Sequence, residues 1–404
     1  MVAGIYFFFV LFSFLVFLFT VFIISLFKKE KKYGKMSSKV SILIPAYNAE
    51  KTIIDCINAI KRNTFLNFEL IVIDDGSKDE TVTLLQENNV SYYKRPHLGK
   101  VDALNYGLEK TTGELILTVD ADTFVEKNYI EKMIAPFSDE KVAATSGAVV
   151  VKNKGGLLGL FQNIEYHQNN LIRRSFSKVF STGIWFFGCL ACYRKDALEE
   201  INGFPKDTLA EDMDVAMVLK SRGYKTINVS DARGYTDVPT NLIDLYWQRS
   251  RWWVGGLQSL VKNRKLLHIR SNPSVLFLFI NHFWWAFYAF ISFPLFIYQI
   301  NYWMPERTID IILYLLRWFS IWGPFYVLYK IPEWGLNFYN IFGVLSGVLS
   351  LIMISAAIII YKDKFSWRNL VAMVFYFPYT IIINLIVALS VVRAIFLKKK
   401  YFIS

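Results

Sequence analysis

Apolar positions are spread unevenly along the 404 residues, and that unevenness predicts the organisation. Ile5 to Phe27 carries no charge and is long enough to cross a bilayer, which takes roughly 20 apolar residues. It lacks a small-residue cleavage site and exceeds a signal-peptide core, so it reads as an anchor. From about Lys39 to Arg270 short apolar runs alternate with helical periodicity. Val40 to Ile44, Glu69 to Ile73, Leu115 to Val119 and Gly188 to Tyr193 read as strands. Ile53, Ile54, Ile57 and Ile60, then Leu104 and Leu108, repeat at helical spacing. Near-continuous apolar strands alternating with helices predict an α/β fold, a mostly parallel sheet with helices on both faces. Gly155 to Arg174 is amphipathic, suited either to lying flat on a membrane surface or to packing on the soluble core. A helix opens at Glu211 and stops at Gly223, and another carries Leu242, Leu245, Leu257 and Leu260. After Pro273 the chain turns apolar until Phe396, dividing into about four crossings at 274–300, 309–330, 338–361 and 370–396.

Three regions follow: an N-terminal anchor and basic flank (1–35), a globular domain (36–270), and C-terminal transmembrane helices with a basic tail (271–404). Lys28, Lys29, Lys31 and Lys32 place the globular domain in the cytosol. Five crossings put Lys362, Lys364 and Arg368 on the opposite side, against that charge bias; a re-entrant 309–330 would bring them back. Hydrophobic residues at 54% and aromatics at 17% exclude a wholly soluble protein. Much of the net charge of +12 lies beside membrane boundaries, which suits lipid headgroups; with no nucleic-acid-binding motif, no nucleic-acid partner is expected. The cysteines, Cys56, Cys189 and Cys192, fall in the cytosolic part, where disulfides are rare. Cys189 and Cys192 read as buried structural residues pointing to opposite faces of a strand, without the partners of a zinc site.

Polar clusters follow three strands, and in parallel sheets ligands bind beyond the strands' carboxyl ends. Pro45-Ala46-Tyr47-Asn48 follows the first, Asp74-Asp75-Gly76-Ser77 the second and Asp120-Ala121-Asp122 the third. Two carboxylates flanking one small residue can reach a hard divalent cation that takes further ligands from a substrate phosphate; an ordinary acidic turn has the same composition. Lys100 can meet a phosphate or simply be solvated. Glu211 and Asp212 can complement a helix dipole or do chemistry. Gln248, Arg251 and Trp252 share one helical face at separations of three and four, as an interfacial anchor or as a site. Each cluster alone is ambiguous.

Their order along the chain resembles that of the processive family 2 glycosyltransferases, which include cellulose, chitin, hyaluronan and poly-N-acetylglucosamine synthases. The resemblance rests on Ile44-Pro45-Ala46-Tyr47-Asn48, Asp74-Asp75-Gly76-Ser77, Gly99-Lys100, Asp120-Ala121-Asp122, Glu211-Asp212 and Gln248-Arg249-Ser250-Arg251-Trp252. The chain is most similar to the poly-N-acetylglucosamine synthase type, though Tyr235-Thr236-Asp237-Val238-Pro239 looks like the hyaluronan synthases. Ala210 stands where a threonine is usual before Glu-Asp, and Trp253 doubles the tryptophan.

The resemblance implies a GT-A domain and a set of roles. Pro45, Tyr47, Asp75, Lys100 and Asp120 bind the nucleotide-sugar, with Tyr47 and Asp75 at the uracil. Asp122 with Asp120 holds Mg2+ or Mn2+. Asp212 is the general base and Arg251 neutralises the leaving diphosphate. Gln248, Trp252 and Glu211 bind the acceptor. The implied reaction is inverting transfer from a UDP-sugar, of UDP-N-acetylglucosamine or UDP-glucose type, to a growing β-linked polysaccharide, coupled to export. The alternative is single-sugar transfer to a membrane lipid, as in ceramide- or polyprenyl-type glycosyltransferases. The implied setting is multi-pass in the plasma membrane, with membrane lipid, a carbohydrate acceptor and room for a small accessory membrane subunit as partners.

Overall fold

The computed structural model describes residues 2–268, 272–303, 311–312, 323–336, 338–361, 363 and 366–396. Helix α1 (Val2–Phe27) leads into the globular domain. There β1 (Val40–Ala46), β2 (Phe68–Asp74) and β4 (Leu115–Val119) form where the apolar runs predicted them. Helices α2 (Ile53–Lys61), α3 (Thr81–Glu87) and α4 (Lys100–Leu108) and strand β3 (Tyr92–Lys94) fill the crossovers. The rest of the domain is β5 (Phe124–Val125), α5 (Tyr129–Ile134), β6 (Val142–Val151), α6 (Gly156–Phe180), β7 (Leu190–Arg194), α7 (Lys195–Glu200), α8 (Glu211–Ser221), β8 (Lys225–Thr236) and α9 (Leu242–Lys262).

The eight strands make one sheet in the order β3-β2-β1-β4-β7-β6-β8-β5. Four of the seven pairings are parallel, so the sheet is mixed with parallel pairs in the majority, and β7 runs antiparallel to both neighbours. Strands β1 and β4 are buried almost throughout because helices cover both faces. The chain winds from β1 to β2 and β3 on one side, then places β4 on β1's other flank. This reversal opens a crevice at the carboxyl ends of β1 and β4. Strand β7 begins at Leu190, so strand alternation does not reach Cys189. Both cysteines therefore lie against the same core cluster, contrary to the opposite-face expectation, and all three are free.

Amphipathic α6 is covered on both sides, so it neither lies bare on a bilayer nor packs on the soluble core alone. Its polar side bonds the sheet, with Asn170 Nδ2 donating to Val149 O (2.7 Å) and Arg173 Nη1 to Gly147 O (2.8 Å). Its apolar side meets the hydrophobic helices. Those are α1, α10 (Pro273–Trp303), α11 (Gly323–Trp334), α12 (Phe338–Ile360), α13 (Trp367–Val374) and α14 (Tyr376–Phe396). Leu160 and Ile164 pack with Ile354, Ile358, Ala372 and Met373, and Leu171 with Phe22, Met353 and Ala357. Among the described residues, Pro273–Ile291 and Tyr376–Ala394 are long and apolar enough to cross a membrane; Phe12–Phe27 and Val344–Ile360 are shorter apolar stretches.

Two expectations about this half change. The crossing expected at 370–396 is two helices broken at Phe375. Pro378 has no N–H for the Val374 carbonyl, and its ring would crowd that carbonyl in a continuous helix. The turn after α12 is not on the far side either. Asp363 accepts from Lys154 Nζ (2.9 Å), Asn163 Nδ2 (2.7 Å) and His167 Nε2 (3.0 Å), and Arg368 Nη2 donates to Lys154 O (3.1 Å). The turn thus packs on the domain that carries the sheet. The 309–330 crossing falls mostly outside the described residues.

Burial alone would raise the Asp363 pKa, but hydrogen bonds from His167, Lys154 and Asn163 hold it far below the carboxylate range. Asp363→Ala strands the buried His167 and Asn163 donors, which costs about 1–3 kcal/mol. The expected result is a lower thermal midpoint in detergent at pH 7; an unchanged midpoint would show that the clasp adds no stability.

Candidate active site

The crevice is built from ends of regular elements. Tyr47 follows β1, Asp75 follows β2, Lys100 opens α4 and Asp120 follows β4. Glu211 and Asp212 open α8, while Gln248, Arg251 and Trp252 lie on α9. Pro45 stays within β1, paired to Ile73.

Lys100 ties the strand-end acids to the helix-start acids. Its Nζ lies 2.8 Å from Asp120 Oδ1 and 3.2 Å from Glu211 Oε1. Burial works against the ammonium, yet Asp120 and Glu211 outweigh it and hold the Lys100 pKa above its ordinary value. Asp122, whose Oδ1 accepts from Thr123 Oγ1 (3.2 Å), is pushed up to about 6 by burial and then by Asp120. Asp212 is also pushed up to about 6, by burial and then by Glu211. Its Oδ2 accepts from Gly188 N (2.6 Å) and its Oδ1 from Met213 N (2.7 Å). Arg251 is exposed, and its charge reaches Lys100.

Asp75 is deeply engaged at the other end. Its carboxylate accepts from Leu98 N (3.2 Å) and Gly99 N (2.8 Å) and meets Arg95 Nε (3.4 Å) and His97 Nδ1 (2.8 Å). The His97 ring stacks on Tyr47 with centroids 3.9 Å apart. Gly76, at φ +78°, admits this clasp, since a Cβ there would meet His97 N at 2.8 Å. Arg95 and His97, which precede Gly99-Lys100, escaped the sequence reading. Gly188 entered it only as the start of an apolar run, without its contact to Asp212.

On α9 one ring face of Trp252 carries the Arg249 guanidinium at 4.3 Å, and Tyr166 lies beside it at 6.4 Å. Arg249 is buried against Glu165 (2.9 Å), which also accepts from Tyr379 Oη. Trp252 is thus a half-buried wall rather than a free platform. Gln248 is half-buried with Oε1 unpaired. Sequence reasoning passed over Arg249, because its burial depends on Glu165 from another helix.

Residues 41–201 match the family model described as glycosyl transferase family 2. These residues are a family 2 glycosyltransferase domain. The match ends before Glu211, so the helix-start acids and the α9 face lie beyond it. A poly-beta-1,6-N-acetyl-D-glucosamine synthase of Staphylococcus aureus (strain COL) is 30% identical over 231 residues, 55% of this chain and 56% of that one. Its Staphylococcus epidermidis counterpart is 29% identical over the same extents. The match thus spans little more than half the length of these relatives. A mannosyltransferase from Pyrobaculum calidifontis, solved with GDP-Man and Mn2+, superposes with a TM-score of 0.61 at 18% identity over 96% of each chain. It shares the fold of the glycosyltransferase domain and of the helices around it.

Gly188 leaves little room beside Asp212. A Cβ there would lie 3.0 Å from Asp212 Cβ and 3.1 Å from its Oδ2. Gly188→Ala is expected to displace that carboxylate and reduce turnover about tenfold or more, a loss of about 1.4 kcal/mol. Turnover and thermal midpoint measured together check it: wild-type turnover in the variant would show that the Gly188–Asp212 contact is dispensable.

Proposed function

We propose that this chain transfers sugar from a UDP-sugar to a growing β-linked polysaccharide, with inversion, and passes the product outward through its apolar helices. The observation that carries this is the Lys100 bridge, which brings the acids after β4 and the Glu211-Asp212 helix start into one crevice. The identity to a staphylococcal poly-beta-1,6-N-acetyl-D-glucosamine synthase supports the polymer class and a donor of UDP-N-acetylglucosamine type. Packing of α6 between sheet and apolar helices supports a multi-pass enzyme of the plasma membrane with a cytosolic site.

The donor's base would lie at Tyr47. For Asp75 to accept a uracil N–H, His97 has to turn aside, because its ring covers Tyr47 and its Nδ1 holds Asp75. Lys100 exchanges one of its carboxylates for a donor phosphate, and Arg251 adds positive charge as the diphosphate departs. Asp212 takes the proton of the acceptor hydroxyl. It is held by Gly188 N and Met213 N with its affinity for a proton already raised. Glu211, Gln248 and Trp252 border the acceptor, and the unpaired Gln248 Oε1 is free to accept from a sugar hydroxyl.

The donor set fits Mg2+ or Mn2+. Burial first, and then the half-buried Asp120 carboxylate beside it, push Asp122 up to about 6, an arrangement a divalent cation relieves. Among the described residues no cluster of three or more acidic, histidine or cysteine side chains could hold a metal alone. This suits a cation bound by one or two carboxylates and substrate phosphates. Such an ion, when bound, supplies positive charge for the diphosphate.

Two measurements test this reading. Radiolabelled product followed over time from UDP-N-acetylglucosamine and UDP-glucose should lengthen, and Asp122→Asn or excess EDTA should abolish it. A single discrete lipid product overturns the polymer reading, and full turnover in EDTA overturns the cation. Asp212→Asn should lose about 10²–10⁴-fold in turnover while binding UDP as the wild type does. A base must be ionised, so wild-type turnover should fall as pH drops through about 6; a flat profile between pH 5 and 8 contradicts the assignment.

A further inference from the structure

Arg173 of α6 heads the fully buried side chains ranked by size, and no carboxylate pairs with it among the described residues. Its guanidinium is met by neutral oxygens instead. Nη1 donates to Gly147 O (2.8 Å) and Asn170 Oδ1 (3.3 Å), Nη2 to Ser146 Oγ (2.8 Å), and Nε to Ile184 O (3.4 Å). Its plane also lies over the Phe187 ring at 4.0 Å. A buried cation without a counter-charge is costly, and the acidic crevice offers a reason for keeping one. Burial pulls the Arg173 pKa down to about 10, still charged at neutral pH.

The contacts lead to the reacting carboxylate. Ser146 Oγ, held by Arg173, accepts from Phe187 N (3.0 Å). The next residue, Gly188, donates its N–H to Asp212 Oδ2 at 2.6 Å. Thr118 Oγ1 secures the following peptide by donating to Gly188 O (2.8 Å). The segment from Ile184 to Gly188 is thus gripped at Ile184 O, at Phe187 N through Ser146, and on the Phe187 ring. We propose that Arg173 is a positioning residue for the reaction: through Ser146 and Phe187 it aims the Gly188 N–H at Asp212. This rests on reading Asp212 as the base.

The groups facing Asp212 are few. Glu211 opposes its ionisation, while Lys100 and the N–H groups of Met213 and Gly188 favour it. Tyr193 and Cys189, on the β7 side, are kept protonated by burial. Loosening the segment that Arg173 grips therefore removes one N–H that favours the ionised Asp212.

The test compares Arg173→Met, Arg173→Lys, Ser146→Ala and Asp212→Asn in the full-length chain, using UDP-N-acetylglucosamine as donor. UDP affinity, kcat, KM and the pH profile of turnover are measured for each. In Arg173→Met, UDP affinity should stay within about twofold, kcat should fall about 10–100-fold, and the acidic limb should move up by about half a unit or more. Arg173→Lys loses the guanidinium fork that holds Ser146 and Gly147, so its kcat should drop and its limb should move the same way. Ser146→Ala should also lower kcat and move the limb up, and it serves even where Arg173→Met fails to fold. A uniform loss in Arg173→Met with an unshifted limb, or wild-type kcat in Ser146→Ala, overturns the proposal. An active Asp212→Asn overturns the base reading itself, whereas an inactive one beside a normal Arg173→Met overturns the role of Arg173 alone.

Discussion

Acidic side chains crowded into a half-buried crevice repel one another, and the domain is organised around holding them there. Asp120 and Asp122 come from the end of β4, Glu211 and Asp212 from the start of α8. Lys100 stands between the two sets, within 3.2 Å of an oxygen from each. Burial first, and then the neighbouring carboxylate, push Asp122 and Asp212 up to about 6 despite Lys100. The same imbalance that makes the site costly to fold makes it receptive to cations and able to take a proton.

That crevice depends on α6, which has no side chain in it. Its polar face secures β6 and the segment leading to Gly188, and its apolar face receives α1, α12 and α13. The Arg249–Glu165 pair with Tyr379 joins α9 to α6 and α14 in the same manner. A shift of the apolar helices would therefore reach Trp252 and Asp212 through buried polar contacts, which resist sliding because any lost partner is left unsatisfied.

Much of this was legible in the sequence, and for definite reasons. Strands covered on both faces must be apolar throughout, so β1, β2 and β4 stood out as runs, and the polar residues after each marked the carboxyl ends where a parallel sheet binds ligands. Asp75, Asp120 and Asp122 stood out by that position, whereas Lys100, Glu211 and Asp212 were singled out only through the order of motifs that carries the family resemblance. Local pattern could not tell that β7 is antiparallel, because an apolar run carries no direction. Nor could it see that strand alternation stops short of Cys189.

What only the tertiary structure decided are the pairings between residues far apart in the chain. The turn bearing Asp363 belongs on the sheet side because Lys154, Asn163 and His167 bond it there. Charge counting sums short segments and cannot register such contacts. Arg173 and Arg249 read as ordinary basic residues until Ser146, Gly147 and Glu165 enclose them. Burial of a charge is a property of its surroundings, and those surroundings exist only once the sheet and the apolar helices have closed around α6.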